Sequence, residues 1–546
     1  MPHPFRRALP VAVLACMPGL ALAQWTDNPA ANTFIATGPA DQALPKIGAA
    51  PDGSCWIGWF DQDGSGYKVK VQLLDPSGAA TFPGGLLVSD HPNMTSLTDW
   101  DLICDSTGAV ALVFSDIRDG GDLDVQAYRI LQDGTFAWGA DGVQLSANPD
   151  FDPSPRITET SDGQFVAVWG RSPSGSVAGD IRMQRLTADG QTLLAAGGMA
   201  VVGPTGTEKP GFCDVVPAAG GSVIVSWLRN TATFASPRHL YTMRYDVAGS
   251  NMWTNPTIVF DLGSLPIGYY PRIIPDGAGG AVLAWQASIA NEFNVYTQRV
   301  SDAGVEAFAH NGVQANANAG LYELGPDVAF DTAQETIWLV YNSQNTTQSL
   351  RGMSTQRIDS AGVRLLGPSG VVIRPLDSFE DRSPRVTYAQ GSGEIVAAWF
   401  DFPTGSVVDA RLVSARIAED GSFVWAVPPS DPSEPGFVPA SSTLSSKDKL
   451  EAALDNCGRT LLTWHDNRNG TSDIVAQNIN RNGTLGEDCP MDINGDGVVG
   501  FGDLNVLLGG YGQSAAPGAL PGDADCDGTI GFGDLNLLLG VYGQGC

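Results

Sequence analysis

From residue 45 to 486 the chain alternates short apolar runs with polar, glycine-rich turns and never settles into a helical period. The phrases PDGSCWIGWF, SDGQFVAVWG, GGSVIVSWLR, GAGGAVLAWQ and GSGEIVAAWF are one element recurring: a turn, then an apolar run ending on an aromatic residue. Aligned on that residue they give the anchors Trp59, Phe114, Trp169, Trp227, Trp285, Tyr341, Trp399 and Trp464. The anchors recur every ~55–65 residues, a spacing that marks a repeated supersecondary unit. Downstream of each come segments such as VQAYRILQDG and YTQRVSDAG, in which polar and apolar positions alternate as in a half-buried strand. The pattern changes only at the C-terminus. There Leu504, Leu507, Leu508 and Tyr511 fall on one face of a helix, and Leu535, Leu538, Leu539 and Tyr542 repeat the spacing.

Three or four short strands per repeat, joined by glycine turns, form the unit of a β-propeller blade, so the expected fold is mainly β. Eight anchors predict eight blades, or seven if one repeat is degenerate. The recurring Asp-Gly…Trp phrase resembles propeller repeats of large secreted bacterial proteins, a resemblance that implies no fixed activity. The last repeat stops one outer strand short, at Cys489, whereas residues 32–38 (NTFIATG) offer a strand ahead of the first repeat. Pairing the two would close a ring over residues 24–486 and leave no bare sheet edge. Residues 489–546 would then form a separate small all-α module.

That module carries the most explicit chemistry in the chain. DINGDGVVGFGD, from Asp492 to Asp503, and DADCDGTIGFGD, from Asp523 to Asp534, are two copies of one twelve-residue loop. Side-chain oxygens stand at places 1, 3 and 5 (Asp492, Asn494, Asp496; Asp523, Asp525, Asp527), with a main-chain carbonyl at place 7 (Val498; Thr529) and a carboxylate at place 12 (Asp503; Asp534). Ca²⁺ takes six to eight oxygens at about 2.3–2.6 Å, and such a loop supplies them, so two Ca²⁺ ions are expected. Place 9 is Gly500 or Gly531, which leaves that position to water, and Asp at place 12 reaches less far than Glu. A helix is predicted after each loop and none of comparable strength before it. This duplicated loop–helix unit resembles the type I dockerin module. The resemblance implies docking on a cohesin-like domain of a scaffold or surface protein, with contacts at loop places 10 and 11: Phe501, Gly502, Phe532 and Gly533. Because these are identical in both copies, two docking orientations are implied; the alternative is that the two Phe pack together inside the module.

Charge and composition narrow the remaining classes. Lys and Arg number 30 against 59 Asp and Glu, a net charge of −29, so a surface that tracks phosphates, and with it nucleic acid, is not expected. Gly and Pro number 66 and 36 of 546 residues, against an ordinary combined share of about 12 %, as a turn-rich β protein requires. Arg6-Arg7, an apolar run and Ala21-Leu22-Ala23 before Gln24 read as a signal peptide over 1–23, hence a secreted or cell-surface protein that does not span a membrane. Val13-Leu14-Ala15-Cys16 allows a lipoprotein instead. Beyond residue 23 stand Cys55, Cys104, Cys213, Cys457, Cys489, Cys526 and Cys546. A Cys489–Cys546 clasp across the module is the first expectation, and an odd count leaves a thiol over.

A fixed distance upstream of the anchors stand Lys46, Asp101, Arg156, Arg272, Asp327, Arg385 and Glu451, with only Gly211 found for the fourth repeat. First strands line a propeller's channel. The set is therefore either a series of ion pairs ordering the blades or, through Arg156, Arg272 and Arg385, an anion pocket reminiscent of sialidases. Asp116 with Arg118 and Asp466 with Arg468 fit hairpins held by local ion pairs, worth little if exposed. No G-x-S-x-G, H-E-x-x-H or phosphate-loop motif occurs, the sialidase S-x-D-x-G-x-T-W box is absent, and His91, His239, His310 and His465 show no zinc spacing. Catalytic residues are thus unassigned. Two readings remain: a secreted propeller that binds or presents a ligand, such as a glycan, and is tethered by its calcium module; or a polysaccharide-degrading enzyme, a glycoside hydrolase or sialidase-like protein, carrying that module.

Overall fold

The structure is a computed structural model that describes residues 24–545 except 94–98, 119–121, 173–178, 206–208, 232–235, 267–269, 291, 318–319, 378–379, 404–405, 407 and 426–435. The expected signal peptide, the alternative lipid site at Cys16 and the last residue, Cys546, lie outside the described residues.

Strands dominate, as the alternating pattern requires. They form six four-stranded antiparallel sheets and one of seven strands. Each four-stranded sheet runs in chain order, first strand to fourth. The seven-stranded sheet arises because one strand, Phe437–Leu454, serves twice. Its first part pairs with Asp409–Ala418 and its second part with Thr460–Asp466. The strand Thr33–Ala36 completes that sheet by pairing antiparallel with Asp473–Ile479, Thr33 opposite Ala476 and Phe34 opposite Val475. The N-terminus thereby covers the edge that the last repeat leaves open.

The anchors explain why the sheets stack. Trp59, Trp169, Trp227, Trp285, Tyr341, Trp399 and Trp464 are all sealed from solvent, with Phe114 beside them in the second sheet. The apolar clusters straddle neighbouring sheets, so the core is a series of slabs between sheets and not one central mass. Between the first and second strands lies a repeated turn. Asp105 Oδ1 accepts the N–H groups of Thr107 (2.8 Å) and Ala109 (3.0 Å), and Asp455 does the same for Cys457 and Arg459. Gly108 and Gly458 close these turns at φ +86° and +78°, where a side chain is strained. Trp56 then donates its indole N–H to the Gly108 carbonyl of the next sheet (3.0 Å).

First strands adjoin one another in chain order, from Gln42–Ala49 through Asp101–Cys104, Arg156–Glu159, Lys209–Pro217, Arg272–Pro275, Leu321–Asp331 and Glu380–Tyr388 to the second part of Phe437–Leu454, which returns to the first. Together they surround a cavity of about 1280 Å³.

At the C-terminus lie two helices, α1 (Phe501–Gly510) and α2 (Phe532–Gly540). They share a core of Met491, Val499, Leu507, Ile530 and Leu538. Only half of each predicted apolar face is used: Leu507 and Leu538 are buried, whereas Leu508, Tyr511, Leu539 and Tyr542 are exposed. This tail is fastened to the sheets. Cys526, inside the second acidic loop, is disulfide-bonded to Cys457 in the last first-strand turn. Arg481 donates to the carbonyls of Gly518 (2.9 Å) and Ala519, and a Cβ added to Gly458 would lie 2.5 Å from the Gly518 oxygen. Cys489 is also disulfide-bonded, its partner falling outside the described residues. Cys55, Cys104 and Cys213 carry free thiols.

Candidate functional site

Two places in the molecule concentrate chemistry: the paired acidic loops and the cavity. In the first loop, carboxylate oxygens of Asp492, Asp496 and Asp503 lie within 4.8 Å of one another; in the second, those of Asp523, Asp525 and Asp527 do. Neither loop contains Lys, Arg or His. The glycine at place 6 lets the chain fold back so that its N–H meets the first carboxylate: Gly497 N–H to Asp492 Oδ2 (2.9 Å) and Gly528 N–H to Asp523 Oδ2 (3.1 Å). The carboxylates at place 12 are buried at the helix starts. Asp503 accepts the N–H groups of Asn494 (2.9 Å) and Gly500 (2.8 Å), and Asp534 accepts those of Ala524 (2.6 Å) and Gly531 (2.7 Å). The negative ends of both side chains thus also meet the positive helix N-termini.

This donor set fits a hard divalent ion. The other oxygen of Asp523 is buried and has no hydrogen-bond partner, an arrangement that costs free energy until a cation or donor meets it. Burial raises the carboxyls of Asp523 and Asp525, and the neighbouring acids, Asp534 among them, raise them further. Asp503 moves the other way: burial is opposed and outweighed by the N–H groups of Gly500 and Asn494. Asn494 turns its amide N–H to Asp496 (3.1 Å). Asp534 stands outside the second carboxylate group, and the places-7 residues Val498 and Thr529 are exposed and half-buried. Phe501 and Phe532 are each 68 % exposed. They therefore do not pack together in the module core, because that core is already filled by the leucines and Ile530. Gly502 and Gly533 lie beside them on the surface.

At the floor of the cavity runs a ring of eight side chains that alternate in sign, all but Asp327 among its lining. Register places Lys46, Asp101, Arg156, Asp214, Arg272, Asp327, Arg385 and Glu451 at the same position of successive first strands, each opposite the residue that precedes its anchor. The fourth member is Asp214, not Gly211. A bulge between Gly211 and Asp214 displaces the strand, and counting back from Trp227 as in the other repeats would have found it.

Salt bridges knit most of this ring. Arg385 meets Glu451 (3.1 Å), Glu451 meets Lys46 (3.4 Å), Lys46 meets Asp99 (3.1 Å) and Asp99 meets Arg156 (2.6 Å). Arg272 meets Asp327 separately (3.2 Å). Asp101 and Asp327 also accept main-chain N–H groups of the following first strand, from Ile157 and Val386. All three arginines of the expected anion pocket are therefore paired, and the ring is inter-sheet bonding. Burial works against ionisation of Glu451, but Arg385, Lys46 and Arg272 outweigh it and bring its carboxyl down to about 2. Asp99 is likewise held well below the usual range, by Lys46 and Arg156 against burial. Asp214 goes the opposite way. Burial pushes it up to about 6 despite Arg156, with Asp101 adding to the rise.

Above the ring stand residues that sequence reasoning missed. Phe212 and Tyr270 meet edge to face at 5.2 Å, the Arg156 guanidinium lies 5.4 Å from the Tyr270 ring, and His465 lines the opposite wall with its Nδ1 buried and unpartnered. The local pairs Asp116–Arg118 (2.7 Å) and Asp466–Arg468 (2.5 Å) do form, but both are buried, and Asp466 also holds the buried Lys447 (3.2 Å).

No protein-family model and no curated protein matches the chain. Among solved structures, an ulvan lyase of a new polysaccharide lyase family is 11 % identical, with a TM-score of 0.41, over 85 % of this chain and 96 % of that one. The α-L-arabinanase of Penicillium chrysogenum in complex with arabinobiose is 14 % identical, with a TM-score of 0.35, over 62 % and 97 %. Prolyl oligopeptidase B from Galerina marginata is 12 % identical, with a TM-score of 0.41, over 78 % and 56 %. Likenesses this distant carry no activity over to this chain.

Proposed function

We propose that this protein is an exported eight-bladed β-propeller, residues 24–486, tethered through a calcium-organised module, residues 489–546. Asp492, Asn494, Asp496, Asp503 and the Val498 carbonyl would hold one Ca²⁺; Asp523, Asp525, Asp527, Asp534 and the Thr529 carbonyl would hold the other. The observation that carries this reading is the pair of three-carboxylate groups in equivalent loops, free of any basic residue, with a buried and unpartnered oxygen on Asp523. The exposed Phe501 and Phe532, flanked by half-used apolar helix faces, support docking on a cohesin-like domain of a scaffold or surface protein. Native mass spectrometry of the full chain tests the claim: two Ca²⁺ should be retained and lost in chelator, and a chain carrying none in millimolar Ca²⁺ overturns it. A cohesin-like domain should bind in Ca²⁺ and release when Phe501 and Phe532 are both changed to Ala.

One observation favours a second reading, a polysaccharide-degrading enzyme. Asp101 and Asp214 flank Arg156 in the cavity, and burial raises Asp214 to about 6, as suits the general acid of glycoside hydrolysis. Release of reducing sugar that disappears in Asp214→Asn would establish it, and its absence across a polysaccharide panel would dismiss it.

A further inference from the structure

The ring of ion pairs has a gap, and the gap carries a wall of its own. Five members and neighbours form one continuous chain, from Arg385 through Glu451, Lys46 and Asp99 to Arg156, and Arg272 with Asp327 forms a second. Asp101 belongs to neither but accepts the Ile157 N–H of the next sheet; Asp214 belongs to neither. Its Oδ1 accepts only the N–H of Val215 in its own strand (2.8 Å), and its other oxygen has no protein partner among the described residues.

Two residues earlier the strand bulges and puts Phe212 at φ +53°. That conformation is costly for a bulky residue and persists only where something else holds it. The same place is left-handed at Leu44, Ser154, Gly325, Ser383 and Lys449, so the turn recurs across the sheets, and at Phe212 it sets the ring at the cavity mouth. Only at the fourth and fifth sheets is the side chain at this place aromatic, Phe212 and Tyr270. Phe212 remains 37 % exposed. Contact with Tyr270 holds one side of the ring, and the rest faces the cavity. It is a surface for something else.

We propose that the cavity mouth at Phe212, Tyr270 and Asp214 binds a neutral oligosaccharide, one sugar face stacking on the Phe212 ring beside Tyr270 and its hydroxyls donating to the Asp214 carboxylate. An anionic ligand is disfavoured at this wall, because its two arginines are already paired, Arg156 with Asp99 and Arg272 with Asp327. A cationic ligand is disfavoured too, because the Arg156 guanidinium already lies against the Tyr270 ring. A neutral polyol needs what the gap offers: an apolar face, an unused acceptor and room. The cavity volume of about 1280 Å³ exceeds the ~300–1,000 Å³ of ordinary small-ligand sites, so several linked sugar units can enter.

The claim is independent of the calcium module and is tested on the full chain by calorimetry. The probes are the neutral hexasaccharides cellohexaose, xylohexaose and mannohexaose, with hexagalacturonate as the anionic comparison. At least one neutral probe should bind, and Phe212→Ala and Asp214→Asn should each weaken it roughly tenfold or more, in variants that melt with the wild type and with or without chelator. Binding of hexagalacturonate alone, binding that survives either substitution, or no neutral binding at all overturns the proposal.

Discussion

The sheets and the tail solve the same problem, holding an acidic and apolar chain together, by opposite means. In the sheets each anchor is sealed between neighbours, and the charged ring is largely neutralised from within, base against acid around the cavity. In the tail a small core centred on Met491, Val499, Leu507, Ile530 and Leu538 holds the helices, half of each helix face stays exposed, and the acidic loops carry no base of their own. One region is self-sufficient. The other is built with two deficits, of positive charge and of apolar cover, and both must be made good from outside.

The largest expected effect breaks the comparison on the tail's side. Each Ca²⁺ at a hundredfold excess over its Kd contributes about 2.7 kcal/mol to the folded state, and a core this small has little else to offer. Asp492→Ala combined with Asp523→Ala, or chelator, should therefore strip hydrogen-exchange protection from α1 and α2 and leave the sheet strands protected. A tail equally protected with and without Ca²⁺ would show that its own packing suffices. The reverse experiment is Trp464→Ala. Removing a fully buried aromatic costs about 3–5 kcal/mol, and here it should lower the melting temperature of the sheets while the tail still answers to Ca²⁺.

Why some of this could be read from the chain follows from the same contrast. The anchors were visible because each sheet needs one large side chain at one place, and Trp is rare enough to mark it. The acidic loops were visible because a twelve-residue cage fits into contiguous sequence. Asp214 keeps the thirteen-residue distance to Trp227, because the bulge lies upstream of it as in other sheets, so it was legible and Gly211 was the wrong residue at the fourth repeat. Phe212 and Tyr270 gave no signal at all: they belong to different sheets, and only the packing of the fourth sheet against the fifth brings them to 5.2 Å. The Cys457–Cys526 bridge was equally hidden, since it joins a strand turn to a loop 69 residues away.

That bridge sharpens the comparison, because it is where the two regions are tied. Closing a loop of this length contributes about 4 kcal/mol in the chain-entropy account. Since Cys526 lies inside the second acidic loop, Cys457→Ser with Cys526→Ser should raise hydrogen exchange around residues 523–534 more than around 492–503, and leave the sheets' melting unchanged. Equal effects on both loops would mean that the Arg481 contacts with Gly518 and Ala519, not the bridge, fix the tail.

The smallest effect concerns pH and lies within the ring itself. Glu451 titrates at about 2 in the folded chain against an ordinary 4.5. Its stabilising contribution is present above 4.5 and is lost as pH falls from there toward 2. Asp214 has the opposite sign. Raised to about 6 from an ordinary 3.8, it binds its proton more tightly when folded, so stability rises as pH falls from 6 toward 4. The sheets should then be most stable near pH 4–4.5, where the two windows meet. Asp152, raised to about 6, and Glu323, raised to about 7, both by burial, add to the upper limb. Asp214→Asn should consequently flatten that limb only in part, by on the order of 1 kcal/mol between pH 4 and 7, and leave the acid limb intact. Glu451→Gln should do the converse, blunting the acid limb while leaving the upper one in place. Urea unfolding followed by tryptophan fluorescence from pH 3 to 7 separates the two. If Asp214→Asn leaves the upper limb unchanged, the free oxygen of Asp214 is not held at a cost, and the gap in the ring loses its energetic meaning.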